Sequence, residues 1–357
     1  MKVSKIVLGF MISVFLLGIS LQAKADSLGF SVSPIFPKNQ IAGDSNYYNL
    51  KMNAGESQII KINLTNTSDS EVKLKALVSP VTTNANGIVE YVPNNIKADP
   101  SLKYNMHNLV EIPADISLPA KTSKIIDVKV NMPGEGFEGI IAGGIVFKNE
   151  NQEKAAKNDK GVSLKNEYQY AVGLLIRQSE TKIAPNVLFH DIKVEQNDTS
   201  QKNTVAVNIQ NDKATYVNQM VVKAKIVKTN DPNIKMEYQS NGMQMAPNSN
   251  FSPSINLDKL KNNQGIVKGG EYKVDMDVYS EEDANGIYKN GSKSYKYHWN
   301  TAKTFQIEQA NIEPVAVETK VAVPADKNNT WLVGLFAGIL AILLAGGGYF
   351  GYKKWRS

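Results

Sequence analysis

Ile60-Lys61-Ile62-Asn63-Leu64-Thr65-Asn66 and Val205-Ala206-Val207-Asn208-Ile209-Gln210-Asn211 follow one pattern. In each, three aliphatic residues alternate with smaller or polar ones, and an asparagine closes the run. A period of two puts the aliphatic side chains on one face and wets the other, which is a strand with one buried side. Asparagine at the end can satisfy local backbone groups in a turn. A second strand follows each run, through Val72 to Val78 and through Met220 to Ile226. Ile126, Val128 and Val130 alternate in the same way, as do Tyr272, Val274, Met276 and Val278. Turn signals separate these stretches at Asn66–Asp69, Asn86-Gly87, Pro133-Gly134, Asn211-Asp212 and Lys268–Gly270. No long segment between the chain ends carries a 3.6-residue stripe. The fold expected is all-β: two immunoglobulin-like antiparallel β-sandwich domains in series, over 28–152 and 160–306.

The boundary falls in the polar, Lys-rich stretch 149–167. Tyr168 to Ile176 reads as a strand that either closes the first sandwich or opens the second; the hinge-like Ala184-Pro185 favours the first.

The ends of the 357-residue chain set its location. Lys2 and Lys5, the apolar run Ile6 to Leu21 and Ala23-Lys24-Ala25 form a signal peptide over 1–25. Gln309 to Thr330 contains Pro314 and Pro324 and reads as an extended stalk. Trp331 to Tyr352 has no charge, and as a helix it rises about 33 Å, enough to cross a bilayer. Lys353, Lys354 and Arg356 follow in a short tail, 353–357, and favour the cytoplasmic side. The expectation is a single-pass type I membrane protein with its ectodomain outside the cell. The formal net charge is +6. The basic residues of the signal peptide and the tail carry all of that excess, so the segment between them is neutral. It lacks the basic field that nucleic-acid binding needs. There is no cysteine, so each core must hold without disulfides.

The sequence shows no catalytic constellation: no Gly-x-Ser-x-Gly elbow, no phosphate-cradling loop and no His-Glu-x-x-His. Glu135 and Glu138 flank a glycine turn, as carboxylates on any surface loop do. His107, His190 and His298 are far apart and show no zinc-ligand spacing. Neither a cofactor nor a metal is expected. Carbohydrate binding is the more plausible chemistry, because amides bond hydroxyls and an aromatic ring packs on a sugar face. Thr83, Asn84, Asn86 and Tyr91 have that composition around a turn, and so do Tyr47 and Tyr48. The competing reading is a hairpin turning at Asn86-Gly87 with Tyr91 packed on the sheet.

A wider set of motifs resembles the WxL-interacting proteins of Gram-positive cell surfaces. They are Phe30–Pro37 with Asn39-Gln40, Tyr47-Tyr48-x-Leu50, Thr83-Asn84-x-Asn86-Gly87-x-x-x-Tyr91 and Leu118-Pro119-Ala120. Met132-Pro133, Phe137-x-Gly139-x-Ile141-x-Gly143-Gly144-Ile145-x-Phe147, Tyr170–Gly173 and Pro185 come next. Ala246-Pro247-Asn248-Ser249-x-Phe251 and Gly270-Glu271-Tyr272 complete the set. The resemblance implies an N-terminal peptidoglycan-binding domain and a C-terminal domain for host or extracellular-matrix proteins. It also implies association with small surface proteins bearing a Trp-x-Leu motif. Trp299, Trp331 and Trp355 form no such motif, so the chain reads as the anchored partner. The function expected is a non-enzymatic surface binding protein. The alternatives are an extracellular assembly module that pairs sheet edges with secreted proteins and, third, a wall-active hydrolase.

Overall fold

The computed structural model describes residues 29–41, 46–150, 169–197, 202–260 and 267–308. The expected signal peptide, stalk and membrane helix lie outside them. Among the described residues no helix is long and apolar enough to cross a membrane, and regular structure is almost wholly β.

The first sandwich uses β1 (Phe30–Ile35), β2 (Tyr48–Lys51), β3 (Ser57–Asn66) and β4 (Val72–Pro80). A small hairpin, β5 (Thr82–Thr83) with β6 (Val89–Glu90), follows. Then come β7 (Val110–Glu111), β8 (Asp115–Leu118), β9 (Ser123–Asn131), β10 (Ile141–Asn149) and β11 (Gln169–Arg177). One sheet runs β1-β3-β9-β7 and the other β2-β11-β10-β4-β8. All pairs are antiparallel except β2 with β11. The segment expected at 168–176 is therefore β11, hydrogen-bonded into the first sandwich. Ile60, Ile62 and Leu64 are almost fully buried and meet Ile145, Phe147 and Leu174 across the core.

The second sandwich uses β12 (Val187–Asn197), β13 (Lys202–Asn211), β14 (Val217–Lys228), β15 (Asp231–Met245), β16 (Ser249–Phe251) and β17 (Ser254–Asn256). It ends with β18 (Gly270–Glu282), β19 (Tyr288–Asn290) and β20 (Lys293–Ile307). Its sheets run β12-β13-β16, with β17 also on β13, and β15-β14-β18-β20-β19. Val205, Val207 and Ile209 are buried with Val222, Ile226 and Val274.

The repeated asparagine is a built part of both sandwiches. Asn66 is buried, and its Nδ2 reaches the carbonyl oxygens of Ser70, Leu118 and Pro119 at 2.8–3.0 Å. Its Oδ1 accepts from Ser68 N at 2.8 Å. Asn211 is also buried, with Nδ2 donating to Thr215 O at 2.6 Å and Ala246 O at 2.9 Å. A side-chain amide mimics a short piece of backbone, so it pairs carbonyls that a sharp turn leaves bare.

A third, smaller cluster lies between the sandwiches. Val81, Ala142, Leu175 and Ala246 are buried there, with Tyr91 and Tyr216 packed against them. It explains why β10 is buried on both faces and why that strand carries glycine. A Cβ on Gly144 would meet the Tyr91 carbonyl oxygen at 1.9 Å.

Candidate functional site

The β5–β6 hairpin stands on the second sandwich. Thr83 is buried; its Oγ1 accepts from Ala246 N at 3.0 Å and lies 2.7 Å from Ser249 Oγ. Ser249 Oγ donates to Ala246 O at 2.8 Å, so the Thr83 hydroxyl is the donor to Ser249. At the hairpin tip, Gly87 O accepts from Gln244 N at 2.8 Å. Behind it, Tyr91 and Tyr216 bring their hydroxyls to 2.9 Å. Burial pushes both phenols above their usual range, Tyr216 the further.

A second tie centres on Asp99. Its Oδ1 accepts from Ser101 N and Gln210 Nε2, and its Oδ2 from Asn250 Nδ2. Burial raises its pKa, but the hydrogen bonds from Ser101, Asn250 and Gln210 outweigh burial and hold the carboxyl below its ordinary value. Asn248 adopts a left-handed φ of 48°, which asparagine tolerates better than most residues. Its Nδ2 donates to Ser101 Oγ and to Asp212 O, each at 3.2 Å.

Two clefts flank this joint. The larger, of about 310 Å³, has Tyr104, Phe137 and Ile183 as apolar wall and Ser101, Lys213 and Asn248 as polar groups. The Tyr104 and Phe137 rings lie 5.7 Å apart. The smaller, of about 250 Å³, runs along Thr82, Thr83, Asp99 and Asn250. Aromatic wall beside amide and hydroxyl is the composition of a sugar site. Glu135, singled out in the sequence, pairs with Lys103 at 2.8 Å on the exposed surface.

The six residues proposed from sequence fall into different places. Tyr48 is wholly buried; its hydroxyl donates to Lys61 O at 2.6 Å and accepts from Ile35 N at 3.2 Å. Burial drives that phenol up to about 12. Thr83 and Tyr91 lie in the joint. Asn84 folds its own turn, with Oδ1 accepting from Asn86 N and Ile88 N and Nδ2 donating to Glu90. Asn86 and Tyr47 are exposed, Tyr47 by 40 %. Asp99, Asn248, Ser249 and Tyr216 were missed. An aspartate two residues before a serine signals a turn and nothing about a partner 151 positions away.

The second sandwich presents a separate surface on the outer face of its larger sheet. The His298 ring stacks on Tyr279 at 4.4 Å, lies 5.6 Å from Tyr288, and places Nε2 2.8 Å from Asp277 Oδ1. Beside it is a depression of about 510 Å³ lined by Lys223, Lys225, Glu237, Gln239, Asp275 and Asp277. His107 and His190 lie elsewhere, on Val78 O and Gln210. Among the described residues no three His, Asp or Glu side chains are placed to hold a metal.

Two family models match the chain. Residues 30–149 match the WxL Interacting Protein, peptidoglycan binding domain, and residues 159–316 its host binding domain. A search of curated proteins returns no match. Solved structures with distant likeness include the class 5 fimbrial chaperone CfaA (14% identity, 77% of this chain and 98% of that one, TM-score 0.29). Another is the CsuC–CsuE chaperone–adhesin complex of Acinetobacter baumannii (11%, 63% and 90%, TM-score 0.29). A third is a PapD-like domain of human CEP192 (12%, 46% and 94%, TM-score 0.27). At these scores the likeness says nothing of function.

Proposed function

Because the chain belongs to the WxL-interacting protein family, we propose that it is a non-enzymatic, membrane-anchored binding protein of the cell surface. Its first domain binds peptidoglycan. Its second binds host or extracellular-matrix protein, and the protein as a whole associates with small Trp-x-Leu surface proteins. The pair of domain matches, each falling mainly on one sandwich, carries this reading. We take both sandwiches as immunoglobulin-like, preceded by the signal peptide of 1–25 and tethered through the stalk by the helix 331–352. Wall glycan fits the cleft at the joint, where the Tyr104 and Phe137 rings offer stacking surface and Asn248 and Ser101 offer hydrogen bonds. Of the six sequence candidates, Asn86 and Tyr47 are the exposed ones and lie outside the lining of this cleft; we assign Thr83, Asn84, Tyr91 and Tyr48 to the scaffold. Protein partners fit the outer face with Tyr279, Tyr288, His298 and its alternating charges. The test is retention of full-length protein on insoluble peptidoglycan against a matched sandwich control. Retention reduced by Phe137→Ala supports the cleft; retention no better than the control removes the wall reading.

A further inference from the structure

The cleft of about 310 Å³ at the joint belongs to no single domain. Tyr104 and Phe137 come from the range matched by the peptidoglycan-binding model; Ile183, Lys213 and Asn248 come from the range matched by the host-binding model. Ile183 lies between β11 and β12, Lys213 between β13 and β14, and Asn248 between β15 and β16. Three contacts join the two halves beside it. Ile140 N donates to Ala214 O at 2.8 Å. Asn248 Nδ2 donates to Ser101 Oγ at 3.2 Å. Gly139 has a left-handed φ of 86°, and a Cβ there would strike the Ala214 carbonyl oxygen and the end of the Ile183 side chain. The glycine of the Phe137-x-Gly139 motif therefore lets the second sandwich close down beside the first.

The lysines of the lining are already paired, Lys103 with Glu135 at 2.8 Å and Lys213 with Asp212 at 3.2 Å. Such walls suit an uncharged ligand with an apolar face and hydroxyl or amide edges. Asn248 commits its Nδ2 to Ser101 Oγ and Asp212 O, which leaves its Oδ1 to accept from a ligand. We propose that the second sandwich and the linker before it complete the wall-glycan site. Ile183 packs on the apolar face of an N-acetylated sugar chain, and Asn248 accepts from its hydroxyl or acetamido N–H. The bound chain then bridges the two sandwiches and holds the joint shut. The proposal rests on the wall-binding reading above and divides the labour differently, since neither domain alone carries the whole site. A ligand that touches both halves keeps all its contacts only when they are closed, so it stabilises the closed form.

The test uses full-length protein in detergent, titrated by calorimetry with a soluble N-acetylglucosamine oligomer. Hydrogen exchange is read with and without the oligomer at the amides that cross the joint, Ile140, Gln244 and Ala246. At about ten times the dissociation constant, exchange that needs the joint to open is expected to slow about ten-fold. Ile183→Ala and Asn248→Gly are each expected to weaken oligomer binding about five-fold. Glycine accepts the left-handed φ of 48° at position 248. Unfolding midpoints are read in parallel, and if a variant does not fold, the exchange comparison on the parent protein decides. Unchanged exchange at all three amides under saturating oligomer, parent-like affinity in the folded variants, or no binding of oligomer by the parent overturns the shared site. Equal retention of parent and folded variants on insoluble peptidoglycan removes the shared site and keeps the wall reading. Oligomer binding that weakens in both variants, without retention on peptidoglycan, does the reverse.

Discussion

Asn66 and Asn211 end equivalent strands in equivalent turns, yet they work in different surroundings. Asn66 ties β3 to the segment after β8 within its own sandwich, and the residues beyond it, Ser68 to Ser70, face solvent or lie near it. Asn211 holds Ala246 O, and Ala246 N in turn donates to Thr83 of the first sandwich. One sequence device thus serves a free end in the first sandwich and a docked end in the second. A buried amide is fixed by the carbonyls around it. What those carbonyls belong to is decided elsewhere in the chain.

This contrast can be broken in graded ways. The largest effect is expected from Gly144→Val, which forces Tyr91 off β10 and with it the whole joint. Overpacking there should cost roughly 3 kcal/mol in chemical unfolding. Asn211→Ala comes next. It strips Thr215 O of its side-chain partner and leaves Ala246 O with Ser249 Oγ alone, at roughly 2 kcal/mol, and hydrogen exchange should rise at Thr83 and Ala246 as well as in the turn. Asn66→Ala should cost roughly 2 kcal/mol with the faster exchange confined to the first sandwich. Equal spread from both variants would show that the two asparagines are not differently placed.

Thr83→Val should cost roughly 1–2 kcal/mol, and a double-mutant cycle with Ser249→Ala should recover about 0.5–1.5 kcal/mol of coupling. The smallest effect is a pH dependence. The carboxyl of Asp99 is held below its ordinary value, so its contribution is present above the unfolded value of about 3.9 and disappears as pH falls through the lower folded one. The joint should therefore stay closed through mild acid and loosen only below about pH 4. Small-angle scattering against pH reads this, and Asp99→Asn should flatten the profile.

Much of the strand pattern was legible because it needs only a period of two. Ile60, Ile62 and Leu64 and their counterparts Val205, Val207 and Ile209 are buried as the alternation required. The asparagine after each run marked its turn. The candidate site was less legible, since exposure cannot be read from composition. Thr83, Asn84 and Tyr91 look like ligand groups because the chemistry that binds a sugar hydroxyl also binds a neighbouring serine, backbone amide or phenol. Tyr48 sits in the core because its hydroxyl found Lys61 O and the N–H of Ile35, partners 13 residues away in each direction.

By itself the sequence determined an all-β chain, the faces of its strands and the position of its turns. Those follow from interactions within a few residues, where each side chain meets either its own sheet or water. Only the tertiary structure decided that β11 completes the first sandwich across a family boundary. It also decided that the Asn-Gly hairpin stands on the second sandwich. The place of β11 beside β2 and the contacts of Thr83 with Ala246 and Ser249 join residues more than a hundred positions apart, beyond the reach of any local pattern.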